Sequence, residues 1–137
     1  MKSLKGVVIV AIIAIFGLSL NGCSVSNNDY EMLNGRWDRG DIVVTFNGTS
    51  AVFTQINSNS GWQSVKNNGS IRIGDKKFRN IRKKSNLQWT AQELTFNPTT
   101  YMVSDWKDCT LTIEENGQKL HVHTPNINHE NTTYTKQ

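Results

Sequence analysis

Apolar positions in this chain follow two different patterns. An unbroken apolar run from Gly6 to Leu20 (GVVIVAIIAIFGLSL) follows a short cationic head, Lys2 and Lys5. From Gly35 onward, apolar residues alternate with polar ones at the period of two that half-buried strands require. Between the two lies a polar stretch, Val25 to Asn34, with no sustained period, which reads as a tether. The alternation is clearest from Asp41 to Phe46, where Ile42, Val44 and Phe46 share a face, and again from Ala51 to Ile56. Asn47-Gly48 stands between these runs. It predicts a β-hairpin closed by a type I′ turn, whose two central residues both need positive φ. The same device recurs in Leu111 to Glu115, Asn116-Gly117 and Gln118 to Thr124.

Shorter candidates fill the middle. Trp62 to Val65 reads as a strand with a turn after it at Asn67-Asn68-Gly69. Ser70 to Ile73 reads as another, turning at Gly74-Asp75 into Lys77 to Arg82. Leu87 to Phe96 and Thr99 to Trp106 complete the set, separated by Asn97-Pro98, with a short helical turn at Glu93 and Leu94 as the one alternative. About eight strands with turn residues between them make an all-β antiparallel meander, closed or partly closed as a small barrel or folded as a sandwich. Closure is favoured because it leaves no open edge on a mostly polar chain. The stretch from Pro125 to Gln137 is polar and reads as a frayed tail.

The apolar run after the cationic head has the order of a secretory signal. At 15 residues it is short for an uncleaved membrane span, which takes about 20. Its end, Leu20-Asn21-Gly22-Cys23, resembles the lipobox of bacterial lipoproteins. Leu20 stands three residues before the cysteine and Gly22 directly before it; Asn21 departs from the small or β-branched residue usual there. The resemblance implies diacylglycerol and palmitate on Cys23, and two or three acyl chains hold a protein firmly to a membrane. Ser24, where aspartate would signal retention, implies the outer membrane in a Gram-negative cell. The expected organisation is a signal over 1–22, a lipidated cysteine and tether over 23–34, a barrel-like domain over 35–125 and a polar tail over 126–137.

Loss of the signal changes the electrostatics. Two of the fifteen basic residues leave with it while all eleven acids stay, so the formal charge falls from +4 to +2. With Cys23 acylated, Cys109 has no partner for an internal disulfide. Cys109 sits in a strand-like Asp-Cys-Thr-Leu-Thr-Ile, and the adjacent Asp108 disfavours a reactive thiolate. The densest charge is basic: Arg72, Lys76, Lys77, Arg79, Arg82, Lys83 and Lys84, with Asp75 the only acid among them. On a tethered domain this segment suits anionic head groups, at about 1 kcal/mol per basic residue near the surface; the plainer reading is a solvated strand that protects an edge. Nucleic acid is excluded as a partner, since Phe78 alone offers no stacking platform and the signal directs the chain out of the cytosol.

Gly35-Arg36-Trp37 resembles the opening of lipocalin-like domains. That resemblance implies a barrel with Trp37 plugging its floor and a basic residue from a late strand covering it. Together with Ser60-Gly61-Trp62, Ile73-Gly74-Asp75 and the closing Asn-Gly hairpin, the chain is similar to small lipid-anchored lipocalin-like bacterial proteins. An eight-stranded barrel is filled by side chains or holds one small ligand, and a chain this short favours filling. Trp37, Trp62, Trp89 and Trp106 are the candidate ligand-binding residues, because tryptophan offers apolar area with one N–H to satisfy.

Catalysis finds no constellation. No nucleophile elbow or phosphate loop is present. His121 and His123 share a strand face without a nearby third ligand, and His129 lies in the tail, so neither a catalytic nor a metal site is expected, and no cofactor. The reading is a monomeric, non-catalytic, lipid-anchored envelope module binding a small apolar or lipidic ligand. The alternative is an envelope protein, an inhibitor or exclusion factor, acting through a protein partner.

Overall fold

The computed structural model describes residues 27–137, so the signal sequence and Cys23 lie outside the described residues. Eight strands alternate inward and outward side chains: β1 (Gly35–Asp38), β2 (Ile42–Asn47), β3 (Ser50–Ile56), β4 (Lys76–Ser85), β5 (Gln88–Phe96), β6 (Val103–Ile113), β7 (Lys119–His123) and β8 (Asn131–Lys136). Each pairs antiparallel with the next. β8 returns to β1 through Trp37 opposite Lys136 and Asp38 opposite Thr135, which closes the barrel. The expected all-β meander is therefore present and closed. Ile42, Val44 and Phe46 point inward as their period of two requires, joined by Trp37, Leu111, Ile113, Leu120, Val122 and Tyr134. Because the barrel closes within residues 27–137, this part of the chain has a complete core of its own.

Local differences from the sequence reading each have a physical cause. In the first hairpin Asn47 pairs with Ser50, which leaves Gly48-Thr49 as the two-residue turn. Only Gly48 has positive φ, at 61°, so the turn is of the II′ kind, which places glycine first. The second hairpin has a longer loop. The Gly117 amide donates to the Glu114 carbonyl at 2.8 Å, and Gly117 takes φ 72° after this turn. Trp62 to Val65 is helical, within α1 (Gly61–Asn67). Ser60 caps it by accepting from the Trp62 amide at 3.1 Å, and the buried Trp62 and Val65 lie three apart on one face. Gly69, at φ 77°, ends it: its amide and that of Ser70 donate back to Lys66 and Val65. Two apolar residues in a seven-residue window are too few to reveal a 3.6-residue period.

Ser70 to Ile73 does not join the sheet as a strand; it leads into the Gly74-Asp75 turn, and only Ile71 is buried. Glu93 and Leu94 stay in β5. Thr99 to Trp106 and the later run from Leu111 belong to one strand, β6, which begins at Val103 and pairs with β5 along most of its length. The stretch read as a frayed tail supplies β8. Its threonines and Tyr134 suit a strand whose outer face is wet, and Tyr134 alone carries the core contact. The tether also ends earlier than expected, because Tyr30 and Leu33 are buried in the core cluster.

The strands alternate direction, so the chain has two distinct ends. At one end the β2–β3, β4–β5 and β6–β7 turns meet the entering segment 27–34, which closes it. Here Tyr30 Oη donates to the Ile81 carbonyl at 3.0 Å, Trp37 Nε1 to Leu33 at 2.8 Å and Trp89 Nε1 to Asp29 at 2.9 Å. At the opposite end lie α1 and the β1–β2, β5–β6 and β7–β8 connections. No helix among the described residues is long and apolar enough to cross a membrane.

Candidate ligand site at the open end of the barrel

Irregular pairing in β4 creates the most unusual feature of the interior. Ala51 of β3 faces Phe78 and the next residue, Val52, faces Lys76, so Lys77 is an extra residue in β4. Such a bulge re-aims side chains. Lys77 and Phe78 are consecutive, yet both are buried, with Lys77 only 2% exposed. A second irregularity between Arg79 and Arg82, with Asn80 at φ 52°, lets Ile81 also face inward.

Lys77 meets Glu93, which is 4% exposed on the inward face of β5 beside Trp89 and Ala91. Lys77 Nζ lies 2.7 Å from Glu93 Oε1, donates to the Leu94 carbonyl at 2.6 Å and sits 4.5 Å from the Trp62 ring centre. Thr124 Oγ1 donates to Glu93 Oε2. Burial raises the Glu93 carboxyl, but the Lys77 charge and the hydrogen bonds from Lys77 and Thr124 outweigh it and hold Glu93 below the usual carboxylate range. Burial likewise pushes Lys77 down, and Glu93 offsets this only in part. A buried pair this well partnered resists removal of one member more than replacement of both.

A second ion pair lies beside the first. Arg39 donates from Nε and Nη2 to the two Asp41 oxygens, each at 2.6 Å, and its guanidinium carbon is 5.7 Å from the Tyr134 ring centre. Burial would raise the Asp41 carboxyl, yet the Arg39 hydrogen bond and charge hold it below its ordinary range. Asp41 also accepts from Ser60, the α1 cap, at 3.4 Å. The β1–β2 turn, α1 and the barrel floor are thereby tied together.

Above these pairs opens a cavity of about 390 Å³, within the range of about 300–1,000 Å³ typical of small-molecule sites. Trp62, Phe96, Pro98 and Ile127 supply apolar wall; Arg39, Lys77, Glu93, Lys107, His129 and Thr132 supply polar lining. Trp62 and Phe96 meet edge-on at 4.6 Å, so one ring fixes the other. Two buried oxygens, Thr132 Oγ1 and Tyr134 Oη, have no hydrogen-bond partner among the described residues.

The structure divides the residues singled out from sequence. Of the four tryptophans, only Trp62 lines the cavity. Trp37 and Trp89 are packed at the closed end, and Trp106 lies on the outer wall under Arg79, whose guanidinium carbon is 4.2 Å from its ring centre. Trp37, Trp89 and Trp106 are therefore corrected out of the ligand set. The basic segment does not form one surface. Lys77 is interior, and Arg79 is occupied by Trp106 and Gln92. Arg72 and Lys76 lie toward α1, whereas Arg82, Lys83 and Lys84 lie at the other end of β4. Eight residues of strand separate Lys76 from Lys84, about 26 Å, well beyond the screening length of about 8–10 Å.

Both strand histidines are exposed on the outside. His121 bonds Glu114 at 2.8 Å and Thr133 at 3.1 Å; His123 bonds Asn131 at 2.9 Å. No group of three or more metal-ligating side chains occurs among the described residues. Cys109 is buried, and burial, with Glu93 nearby, pushes its thiol up to about 12. Sequence reasoning missed Arg39, Glu93, Thr124, Thr132 and Tyr134. A signal existed for Glu93 alone, an acid sharing a face with Trp89 and Ala91. Comparison with protein-family models, curated proteins and solved structures returns no match.

Proposed function

We propose that this chain is a lipid-anchored binding module that holds one small amphiphilic or lipidic ligand in the cavity at the open end of its barrel. The observation that carries the reading is a cavity of about 390 Å³ with a buried, charged floor above an otherwise packed interior. A barrel of eight strands has room for one such ligand. The position of Lys136 Nζ, 5.1 Å over the Trp37 ring and bonded to the Met32 carbonyl, supports the lipocalin-like reading of the Gly35-Arg36-Trp37 opening.

The anchor belongs to the same proposal. Cys23 precedes Asn27 by four residues, a reach of at most about 14 Å, and the chain enters at the closed end. A lipid on Cys23 would hold that end, with Arg82, Lys83 and Lys84, toward the membrane and leave the mouth facing away. A second reading, docking to a protein partner, is favoured by exposed Ile73, Tyr101 and Met102 near the mouth, an apolar rim of the kind partners cover.

Native mass spectrometry of residues 24–137 with an envelope lipid extract tests the proposal. A discrete adduct, lost in Trp62→Ala, is the expected result. A bare protein mass at every extract concentration overturns the ligand reading and turns attention to the rim. Whether Cys23→Ala releases the full-length protein from the membrane fraction tests the anchor.

A further inference from the structure

The polar groups at the mouth define a ligand class more narrowly, and this step rests on the cavity reading above. At the base of the cavity the acceptors are already used. Glu93 accepts from Lys77 through one oxygen and from Thr124 through the other, and the Leu94 carbonyl accepts from Lys77. The groups left over are donors. Arg39 gives Nε and Nη2 to Asp41, leaving Nη1. The Thr132 and Tyr134 hydroxyls are buried without partners among the described residues, and Tyr134 lies against the Arg39 guanidinium. An unpaired buried hydroxyl destabilises a fold by about 1–3 kcal/mol, so two within one short strand call for an acceptor that the chain does not contain.

Charge agrees with hydrogen bonding. Lys77 neutralises Glu93 at 2.7 Å, and Asp41 neutralises Arg39 from the side away from Nη1. The rim adds Lys107, whose nearest carboxylate, the exposed Asp105, is 4.0 Å away, and His129. Among the lining residues the fixed charges are three cations and one carboxylate. Apolar wall from Trp62, Phe96 and Ile127 stands above this floor.

We propose that the cavity takes a small monocarboxylate with a compact apolar body, its carboxylate received by Arg39, Thr132 and Tyr134 and its body held between Trp62 and Phe96. The two hydroxyls are then binding groups kept unpaired in the empty protein, at a cost to its stability.

The test uses residues 24–137, which contain the whole closed barrel, and three probes of one length: octanoate, 1-octanol and octylamine. Calorimetric titration at low salt should show octanoate binding at least roughly tenfold tighter than octanol, the worth of one hydrogen bond to a charged group, and octylamine not at all. Tyr134→Phe keeps the ring and removes the unpaired hydroxyl. It should raise the melting temperature, weaken octanoate several-fold and leave octanol unchanged; Thr132→Val should act in the same direction. Equal or tighter binding of octanol or octylamine overturns the carboxylate assignment and leaves the cavity reading standing. A Tyr134→Phe protein that is less stable, or that binds octanoate as before, overturns the role of the hydroxyl. A lipid-extract adduct with none of the three probes bound sinks this inference alone. No adduct and no probe bound sinks both.

Discussion

The two ends of this barrel are built on opposite rules. At the closed end, aromatic N–H and O–H groups reach backbone carbonyls of the chain itself: Trp37 to Leu33, Trp89 to Asp29 and Tyr30 to Ile81. At the open end, two ion pairs are taken into the interior, two hydroxyls go unpaired, and side chains stop short of filling the space. One end satisfies every polar atom of its rings and gains the full benefit of burying them. The other keeps unsatisfied donors beside a void, an arrangement that weakens a fold unless something else occupies it. Stability is thus concentrated where the chain enters, and binding capacity where the loops gather.

The largest effects should come from breaking each end by its own rule. Trp37→Ala removes a fully buried ring and its hydrogen bond at the closed end. It should cost about 3–5 kcal/mol, a large share of the roughly 5–15 kcal/mol of a typical domain, read as a lower denaturation midpoint with ligand affinity of the folded fraction unchanged. Lys77→Met should cost a comparable amount, about 3–5 kcal/mol, because it strands the Glu93 carboxylate. Here the ends differ in kind. Adding Glu93→Leu to Lys77→Met should recover most of the loss, since a packed apolar pair replaces an ionic one, whereas no second change restores Trp37→Ala. Failure of that rescue would mean that the pair stabilises the floor outright.

The same pair sets a pH dependence. The folded Glu93 carboxyl lies below its ordinary value of 4.5. Its contribution is therefore present above that value and is lost as pH falls through the lower folded one. Glu93→Gln should flatten the stability curve below about pH 4.5 and leave its shape near neutrality alone. A mutant curve parallel to the wild type throughout would place the acid sensitivity elsewhere, with Asp41 the next candidate.

These contrasts also explain which parts of the molecule were legible in the chain. Alternation in Asp41 to Phe46 and Leu87 to Phe96 reports β2 and β5, because an inward face must be apolar along its whole length. The closed end was partly legible through Gly35-Arg36-Trp37. β8 was hidden because only Tyr134 of its residues is buried, so a polar strand looked like a tail. α1 was hidden by shortness. The floor of the cavity was hidden for a deeper reason. Lys77 reads as one more member of a basic run, and only a pairing irregularity with β3 turns it inward. Bulges depend on register between strands distant in sequence, which periodicity does not record. Arg39 and Tyr134 meet across the closing β1–β8 seam, the longest sequence separation in the barrel.

A smaller effect tests how tightly the cavity wall is set. A Cβ on Gly61 would stand 2.8 Å from Phe96 Cζ, closer than carbon atoms approach. Gly61→Ala must therefore push the Phe96 ring, which stacks edge-on with Trp62 and lines the cavity. The expected cost is about 1–3 kcal/mol of overpacking, with weaker ligand binding. Unchanged binding would show that Phe96 yields outward and that the wall is set by Trp62 alone.

The smallest effect should come from the outer wall, where the basic segment and a tryptophan meet away from both ends. Arg79 stacks on Trp106 at 4.2 Å and bonds Gln92 at 2.9 Å, with both side chains half-buried. A cation–π contact at such a site contributes about 0.5–1 kcal/mol. Arg79→Ala should lower stability by about that amount, and Trp106→Ala should lose more because it also uncovers Leu94, the neighbour opposite it in β5. Neither change should alter ligand affinity, because neither side chain lines the cavity. If Trp106→Ala weakened binding as strongly as Trp62→Ala, the division between a packed outer wall and a binding mouth would fail, and the tryptophans would have to be treated as one ligand-binding set spread across the barrel.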